Sequence, residues 1–201
     1  GSMCAQARFL RAWYHFVLAQ NYLDVPLKTT ATESYKDVKI AATPQYEVMK
    51  WVVSEMEEVL PFITESLDHA PSDVTRTTVH GILGRIYLYM AGEAVSGVTD
   101  DERHTYFDKA AEHCKAVIDS GLHRLNPDYS QIFINYVADK YDTEYHESMW
   151  EVDFYGDRSS SMYFGNSRWG ELNGLRCSNA DTDYASHKVN WANGLFGNTY
   201  R

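Results

Sequence analysis

The sequence predicts a mostly α-helical protein in which antiparallel helix pairs are followed by a short strand and a long, irregular, loop-rich region. Three observations carry this prediction. Apolar residues recur at three- and four-residue steps in four segments before residue 121. Threonine or proline precedes three of these segments and glycine follows two of them, as is typical of helix ends. Beyond residue 156 the periodicity disappears, although aromatic residues stay frequent.

The first segment predicts a helix over residues 5–22. Phe9, Trp13 and Phe16 fall on one face of it, so this face is expected to be buried. The run Asp24-Val25-Pro26-Leu27 then stops the helix, because proline disfavours a helical conformation in the residue before it. The polar residues that follow predict a surface loop to about residue 42.

The second segment predicts the partner helix of the first pair. Thr43 supplies a hydroxyl N-cap and Pro44 fits the first helical position, where its missing N–H costs nothing. The apolar face continues to about residue 67, with Pro61 kinking or breaking the last turns. Three carboxylates on this helix are interpreted as a solvated face: Glu55, Glu57 and Glu58.

The next two segments predict a second helix pair. The third helix is expected over residues 77–90, and the fourth begins at a capping box, Thr99 with Glu102, and ends at Gly121. The fourth helix is expected to bury Phe107, Ala110, Ala111, Cys114, Val117 and Ile118. The run Leu83-Gly84-x-x-Tyr87, followed by Ala110-x-x-x-Cys114-x-x-Val117, has a spacing similar to that of a tetratricopeptide repeat, where small residues let two helices approach closely.

The pattern changes after Gly121. Residues 129–136 suit a short helical turn, and the alternation of apolar and polar residues predicts a strand over Ser148–Phe154. Residues 156–201 contain seven aromatic residues among glycine and asparagine. Because segments that cannot fold contain few aromatic residues, this region is interpreted as structured loop.

Composition excludes several classes of protein. With 44% hydrophobic and 23% charged residues the chain is typical of a globular protein and not of a disordered one. The net charge of −10 argues against nucleic-acid binding, because a polyphosphate would be repelled. The three cysteines lie far apart, which excludes a zinc cage and argues against a disulfide scaffold.

Four blocks, in this order, resemble the SusD/RagB family: Ala7–Leu27, Thr75–Tyr89, Phe107–Gly121 and Glu147–Phe154. The first block ends in Tyr22-Leu23-Asp24-Val25-Pro26-Leu27. Leu23 departs from the family pattern, which has glycine there, so the turn after the first helix is expected to take a different backbone path.

The resemblance implies a non-enzymatic surface protein of the bacterial outer membrane. Such proteins are lipid-anchored, pack a tetratricopeptide-like scaffold against a TonB-dependent, SusC-like transporter, and capture a glycan or peptide with irregular loops. This chain is then expected to be an internal piece without the lipidated N-terminus. The expected division is a tag remnant and fragment start at 1–3, a scaffold at 4–125, a short helix and strand at 126–155, and a truncated ligand-binding region at 156–201.

The last region also carries the combination of groups that binds sugars. One face of a pyranose is made of C–H groups and its rim of hydroxyls, so capture needs a flat ring with polar side chains beside it. Two clusters supply this combination, which gives the candidate ligand residues Trp169, Trp191, Tyr163, Asn166, Arg168 and Asn193. The alternative is that both tryptophans anchor loops to the scaffold. Trp13, Trp51 and Trp150 lie in periodic segments and are expected to be core residues.

Few residues support a catalytic or metal-binding function. No nucleophile, phosphate-binding or zinc motif is present, and the eight histidines include no pair at helical ligand spacing, so no catalytic residue, metal or cofactor is expected. Asn179, Asp181 and Asp183 resemble half of a calcium loop that lacks its glycine and distal glutamate, which leaves calcium a minor alternative. The main alternative function is a tetratricopeptide-like scaffold for a protein or peptide, and a hydrolase is the least favoured.

Overall fold

The computed structural model describes residues 2–35, 38–68, 70–137 and 140–152. Five α-helices and one 3-10 turn lie in these ranges: α1 Ser2–Tyr22, α2 Gln45–Val59, the turn Leu60–Phe62, α3 Arg76–Ala91, α4 Asp100–Ser120 and α5 Tyr129–Val137. They belong to one compact unit, Gly1–Glu151. The predicted mostly helical fold class is confirmed, whereas the irregular region 156–201 lies outside the described residues. The predicted domain division at residues 125 and 155 stays a prediction.

The first four helices form two antiparallel pairs, as predicted. Arg8 near the start of α1 bonds Glu55 near the end of α2, and the Ala19 carbonyl near the end of α1 accepts a hydrogen bond from Gln45 at the start of α2. The contacts between α3 and α4 show that these two helices are antiparallel as well. His80 meets His113, and Tyr87, two turns further along α3, stacks on Tyr106, two turns earlier in α4.

The core lies between α1, α2 and α3. Its fully buried side chains are those that the helical periodicity placed on the inner faces: Phe9, Phe16, Val48, Met49, Val52, Met56, Val59, Val79, Leu83, Ile86 and Met90. Trp13, Trp51 and Trp150 are partly buried and pack against this core, as predicted.

The predicted apolar face of α4 is wrong in its orientation. Ala110 and His113 are the buried residues of this helix, whereas Phe107, Cys114 and Ile118 are exposed. The reason is that α4 packs on α3 along the side that carries Tyr106, Ala110 and His113. Glu57 and Tyr46 of α2 contact this same side of α4. Phe107 and Ile118 lie off this side and stay exposed.

The start and the end of α2 also differ from expectation. Pro44 is the N-cap residue, and it makes no side-chain capping bond. The Asp24 carboxylate, from the other end of the loop, instead accepts a hydrogen bond from the Gln45 backbone N–H at 2.9 Å. At the other end the helix stops at Val59 and tightens into the 3-10 turn that contains Pro61, because proline cannot donate to the helical ladder.

Leu23 keeps a glycine-like backbone at the end of α1. Its φ is +63°, and its N–H donates to the Ala19 carbonyl at 3.1 Å, which closes the helix with a left-handed residue. A leucine in this conformation costs roughly 1–2 kcal/mol relative to a residue without strain. The expectation of a different path at Leu23 is therefore not met, because the turn stays in the region that favours glycine.

Residues 145–151, here called the strap, lie across the ends of other elements. The predicted strand starts in the strap, but residues 148–152 are not in a strand in the structure, and Asp153 and Phe154 lie outside the described residues. Isolated hydrogen bonds hold the strap instead of a strand ladder. The Met149 carbonyl accepts a hydrogen bond from the Thr78 hydroxyl at 3.1 Å, and the Glu151 N–H donates one to the Pro71 carbonyl at 3.0 Å.

Candidate functional site

All of the predicted ligand residues lie outside the described residues. This holds for Trp169, Trp191, Tyr163, Asn166, Arg168 and Asn193, and equally for the half calcium loop of Asn179, Asp181 and Asp183. Their roles stay predictions. The described part of the chain supplies the scaffold that precedes them, together with two polar networks and two cavities.

The strap ends shortly before residues 156–201 in the sequence, and Trp150 fixes the strap to the scaffold. The Trp150 ring meets Phe9 and Trp13 edge-on, with centroid distances of 5.6 and 6.0 Å. Its indole N–H donates to the Ser72 carbonyl at 3.0 Å. The packing of the Trp150 ring and the hydrogen bond from its N–H together hold the end of the strap in place.

The first polar network joins α1 to α2. Glu55 accepts hydrogen bonds from Arg8 at 2.7 Å and from Arg11 at 2.6 Å, and its side chain is only 12% exposed. The hydrogen bonds from Arg8 above all, with those from Arg11, lower the pKa of the Glu55 carboxyl. Arg11 also lies over the Trp51 ring, at 5.3 Å from its centroid. This network ties α1 to α2.

The second network joins α2, α3 and α4 around Glu57. Its Oε1 accepts a hydrogen bond from the Tyr87 hydroxyl at 2.7 Å, and Lys109 Nζ and His113 Nε2 lie 3.5 and 3.7 Å away. His113, Tyr87 and Lys109 together lower the pKa of the Glu57 carboxyl to about 2. The Tyr87 bond is the shortest of these contacts and therefore the most directional.

The interpretation of Glu55, Glu57 and Glu58 as one solvated face is therefore wrong for two of the three. Glu58 is exposed, although it also accepts a hydrogen bond from Arg8 at 2.6 Å, whereas Glu55 and Glu57 are partly buried and connect helices. The sequence could not show this, because the arginines lie 44 and 47 residues away and the tyrosine 30 residues away.

The Glu57 network ends in a histidine pair. His80 Nδ1 and His113 Nδ1 lie 2.9 Å apart, so one nitrogen donates and the other accepts. Burial first, then the neighbouring His113 and Arg76, lower the pKa of His80, which favours its neutral form. The pair cannot form this contact with both rings protonated, and the contact joins α3 to α4.

Two hydrogen-bonded tyrosines, Tyr46 and Tyr106, extend the contact between α2 and α4 towards the start of α4. Tyr46 donates to Glu102 Oε1 at 2.8 Å, so at the 2.7 Å contact between the hydroxyls of Tyr46 and Tyr106 the latter is the donor. Burial first, then these hydrogen bonds, raise the pKa of Tyr46. Because the Tyr46 hydroxyl stays protonated, it serves as a hydrogen-bond donor that joins α2 to α4.

Glu57→Gln is expected to reduce the acid sensitivity of the fold. A carboxyl whose pKa falls from 4.5 to about 2 on folding stabilises the protein above pH 4.5, and this contribution is lost as the pH falls towards 2. Because the side chain is 36% exposed, solvent screening limits the contribution to about 1 kcal/mol at pH 7. Urea denaturation at pH 7 and pH 3 measures it.

The matched control is Glu93→Gln, at an exposed glutamate in the turn after α3. The stability difference between wild type and Glu57→Gln should shrink from pH 7 to pH 3, while Glu93→Gln tracks the wild type at both values. An undiminished difference at pH 3 would contradict the assignment to the Glu57 carboxylate.

Two cavities open on the described surface. One of about 450 Å³ lies between the start of α3 and the end of α4, lined by Arg76, His80 and Ser120 among others. The other, of about 280 Å³, lies between α5 and the strap. Within the described ranges no three His, Cys, Asp or Glu side chains converge as a metal site, and no helix is both long and apolar enough to cross a bilayer.

The sequence and the fold both match known proteins. Residues 1–88 match the family SusD-like_3, described as "Starch-binding associating with outer membrane". No curated protein sequence matches the chain.

Three solved structures are similar to it. The first is a SusD homolog from Bacteroides thetaiotaomicron VPI-5482, with 20% identity and a TM-score of 0.68 over 86% of this chain and 32% of that one. The second, solved with a xylogluco-oligosaccharide, has 20% identity and a TM-score of 0.68 over 85% and 32%. The third is surface glycan-binding protein A from Bacteroides uniformis, with 20% identity and a TM-score of 0.56 over 77% and 34%. The chain spans about a third of the length of each.

Proposed function

We propose that this chain, which is a SusD/RagB-like protein, binds a glycan at the cell surface without catalysing a reaction. The observation that carries the proposal is the match of residues 1–88 to a starch-binding, outer-membrane-associated family. A glycan ligand is supported by the neighbour solved with a xylogluco-oligosaccharide.

The proposed glycan site lies in residues 156–201. Trp169 and Trp191 would stack on sugar rings, and the polar groups beside them would bond the hydroxyls: Asn166, Arg168 and Asn193, with Tyr163 as a further ring. Stacking contributes about 0.5–1.5 kcal/mol per ring, so several rings are needed for useful affinity.

Trp169→Ala and Trp191→Ala test this site. Each is expected to weaken binding of a xylogluco-oligosaccharide by about 2- to 13-fold, and the double variant by the product, as measured by calorimetry. Phe107→Ala, at an exposed ring on α4, is the control and should bind as the wild type does. Unchanged affinity in both tryptophan variants would reject the site, and release of reducing sugar by the purified protein would reject the non-catalytic role.

The helical scaffold is proposed to face a TonB-dependent, SusC-like transporter, and a lipid anchor outside this chain would hold the protein to the outer membrane. Tyr14, Leu18 and Tyr22 form an exposed apolar line on α1 that suits a protein contact. The same line fits the alternative function, a scaffold that binds a protein or peptide. A glycan array without hits, together with a co-purifying peptide, would favour that alternative.

A further inference from the structure

The short helix α5 is unusual because it has no charged residue. It consists of nine residues, YSQIFINYV, and its Tyr129, Phe133, Ile134 and Tyr136 side chains are more than half exposed. Six of its nine residues are apolar, and apolar side chains are normally covered, because apolar surface is expelled from water. Exposed rings on such a helix indicate a contact surface.

A cavity of about 280 Å³ lies beside these rings. Phe133, Asn135 and Tyr136 form its α5 side, and Asp142, Glu147 and Glu151 form the opposite side together with Lys140. The volume is just below the roughly 300–1,000 Å³ of pockets for drug-sized ligands, so it suits a single sugar residue and not a larger apolar ligand.

Asp142 supplies an acceptor that the fold does not use. Its Oδ1 accepts hydrogen bonds from the backbone N–H groups of Glu144 and Tyr145, both at 3.0 Å. Its buried Oδ2 has no hydrogen-bond partner among the described residues. A carboxylate oxygen without a partner is costly, and a sugar hydroxyl is a donor of the kind that it lacks.

The charges around the cavity restrict the class of sugar. Three carboxylates, on Asp142, Glu147 and Glu151, face one ammonium group, on Lys140. Burial first, then the carboxylates of Glu151 and Asp142, raise the pKa of the adjacent Tyr141, which reflects the same negative field. A uronic acid or a sulfated sugar would be repelled, whereas a neutral hexose would not.

We infer that the cavity between α5 and the strap is a glycan subsite for one neutral hexose, with Tyr136 stacking on the sugar and Asp142 accepting a hydroxyl hydrogen bond. This inference rests on the proposed function, which it extends from the loop region to the scaffold. The subsite gives the chain a second point of contact with an extended oligosaccharide, and it selects against acidic glycans.

The test is calorimetric titration of the whole 201-residue chain with a xylogluco-oligosaccharide and with an oligogalacturonide. Tyr136→Ala should weaken binding of the neutral probe by about 2- to 13-fold, as for loss of one stacked ring. Tyr136→Phe should retain the affinity, because it keeps the ring. Phe62→Ala is the matched control, since Phe62 is 61% exposed and Tyr136 is 62% exposed, and it should leave binding unchanged.

A further variant tests the charge argument. Glu151→Gln should increase the affinity for the oligogalacturonide several-fold relative to the affinity for the neutral probe. The subsite is rejected if Tyr136→Ala binds as the wild type while Trp169→Ala and Trp191→Ala bind more weakly, an outcome that leaves the proposed function standing. It is also rejected if Tyr136→Phe loses as much as Tyr136→Ala. If the wild type binds neither probe nor any other glycan, the proposed function fails and the subsite fails with it.

Discussion

Phe9→Ala is expected to lower the free energy of unfolding by about 3–5 kcal/mol. Phe9 is fully buried on the inner face of α1 and meets Trp150 of the strap edge-on, at a centroid distance of 5.6 Å. Truncation removes the apolar area of the ring and leaves a cavity that the surrounding helices can fill only in part. A domain of this kind has about 5–15 kcal/mol in total, so the variant should be marginally stable at 25 °C.

Urea denaturation followed by circular dichroism measures this loss. Phe9→Leu, which keeps most of the volume, should cost less than half as much. Tyr14→Ala truncates an exposed ring on the same helix and should change stability by no more than about 0.5 kcal/mol. A loss below about 1 kcal/mol in Phe9→Ala would show that the core does not depend on the contact between α1 and the strap.

Gly84→Leu is expected to cost about 3 kcal/mol or more, because α3 and α4 approach each other most closely there. A Cβ at Gly84 would lie 2.8 Å from Cys114 Sγ, 3.5 Å from the Ala110 carbonyl oxygen and 3.7 Å from the Cys114 backbone nitrogen. The sulfur can rotate away, but the backbone of α4 cannot. The larger atoms of leucine would therefore force the two helices apart.

Smaller substitutions separate the steric effect from helix propensity. Gly84→Ala gains about 0.5–1 kcal/mol of propensity and meets mainly the Cys114 sulfur, so it should be more favourable when combined with Cys114→Ala. Gly81→Ala is the matched control on the same helix: its Cβ would meet only the flexible tip of Met149, at 3.4 Å. Gly81→Ala should stabilise the protein, and a similar gain from Gly84→Leu would contradict the close approach.

The helix pairs could be predicted because their signals are local. The capping box at Thr99 and Glu102 and the left-handed Gly121 after α4 are both present as expected. Each depends on residues within one or two turns, so the sequence contains everything that the prediction needs. Leu23 is the exception at a helix end, since the left-handed conformation that it adopts favours glycine.

The orientation of α4 and the partners of Glu55 and Glu57 could not be predicted. Apolar periodicity indicates which side of a helix is apolar, but not how many neighbours the helix has. Because α2 and α3 both contact α4 from one side, α4 buries Ala110 and His113 and leaves Phe107 exposed. For the carboxylates, the partners come from helices more than 29 residues away in the sequence.

One part of the proposed glycan site could be predicted from the sequence, and the other part could not. The sequence alone predicts the loop rings Trp169 and Trp191 as ligand residues, because a ring beside asparagine or arginine is a local pattern. It gave no sign of the cavity beside Tyr136, since α5 and the strap come together only in the fold.

By itself, then, the sequence determined the helices, their order and most of the core of α1 to α3, because these follow from propensity, capping and periodicity along a short stretch of chain. Only the tertiary structure decided which charges pair, which face of α4 is buried and where the strap lies. Those outcomes depend on distances between segments that are far apart in the sequence, and such distances are set when the helices pack.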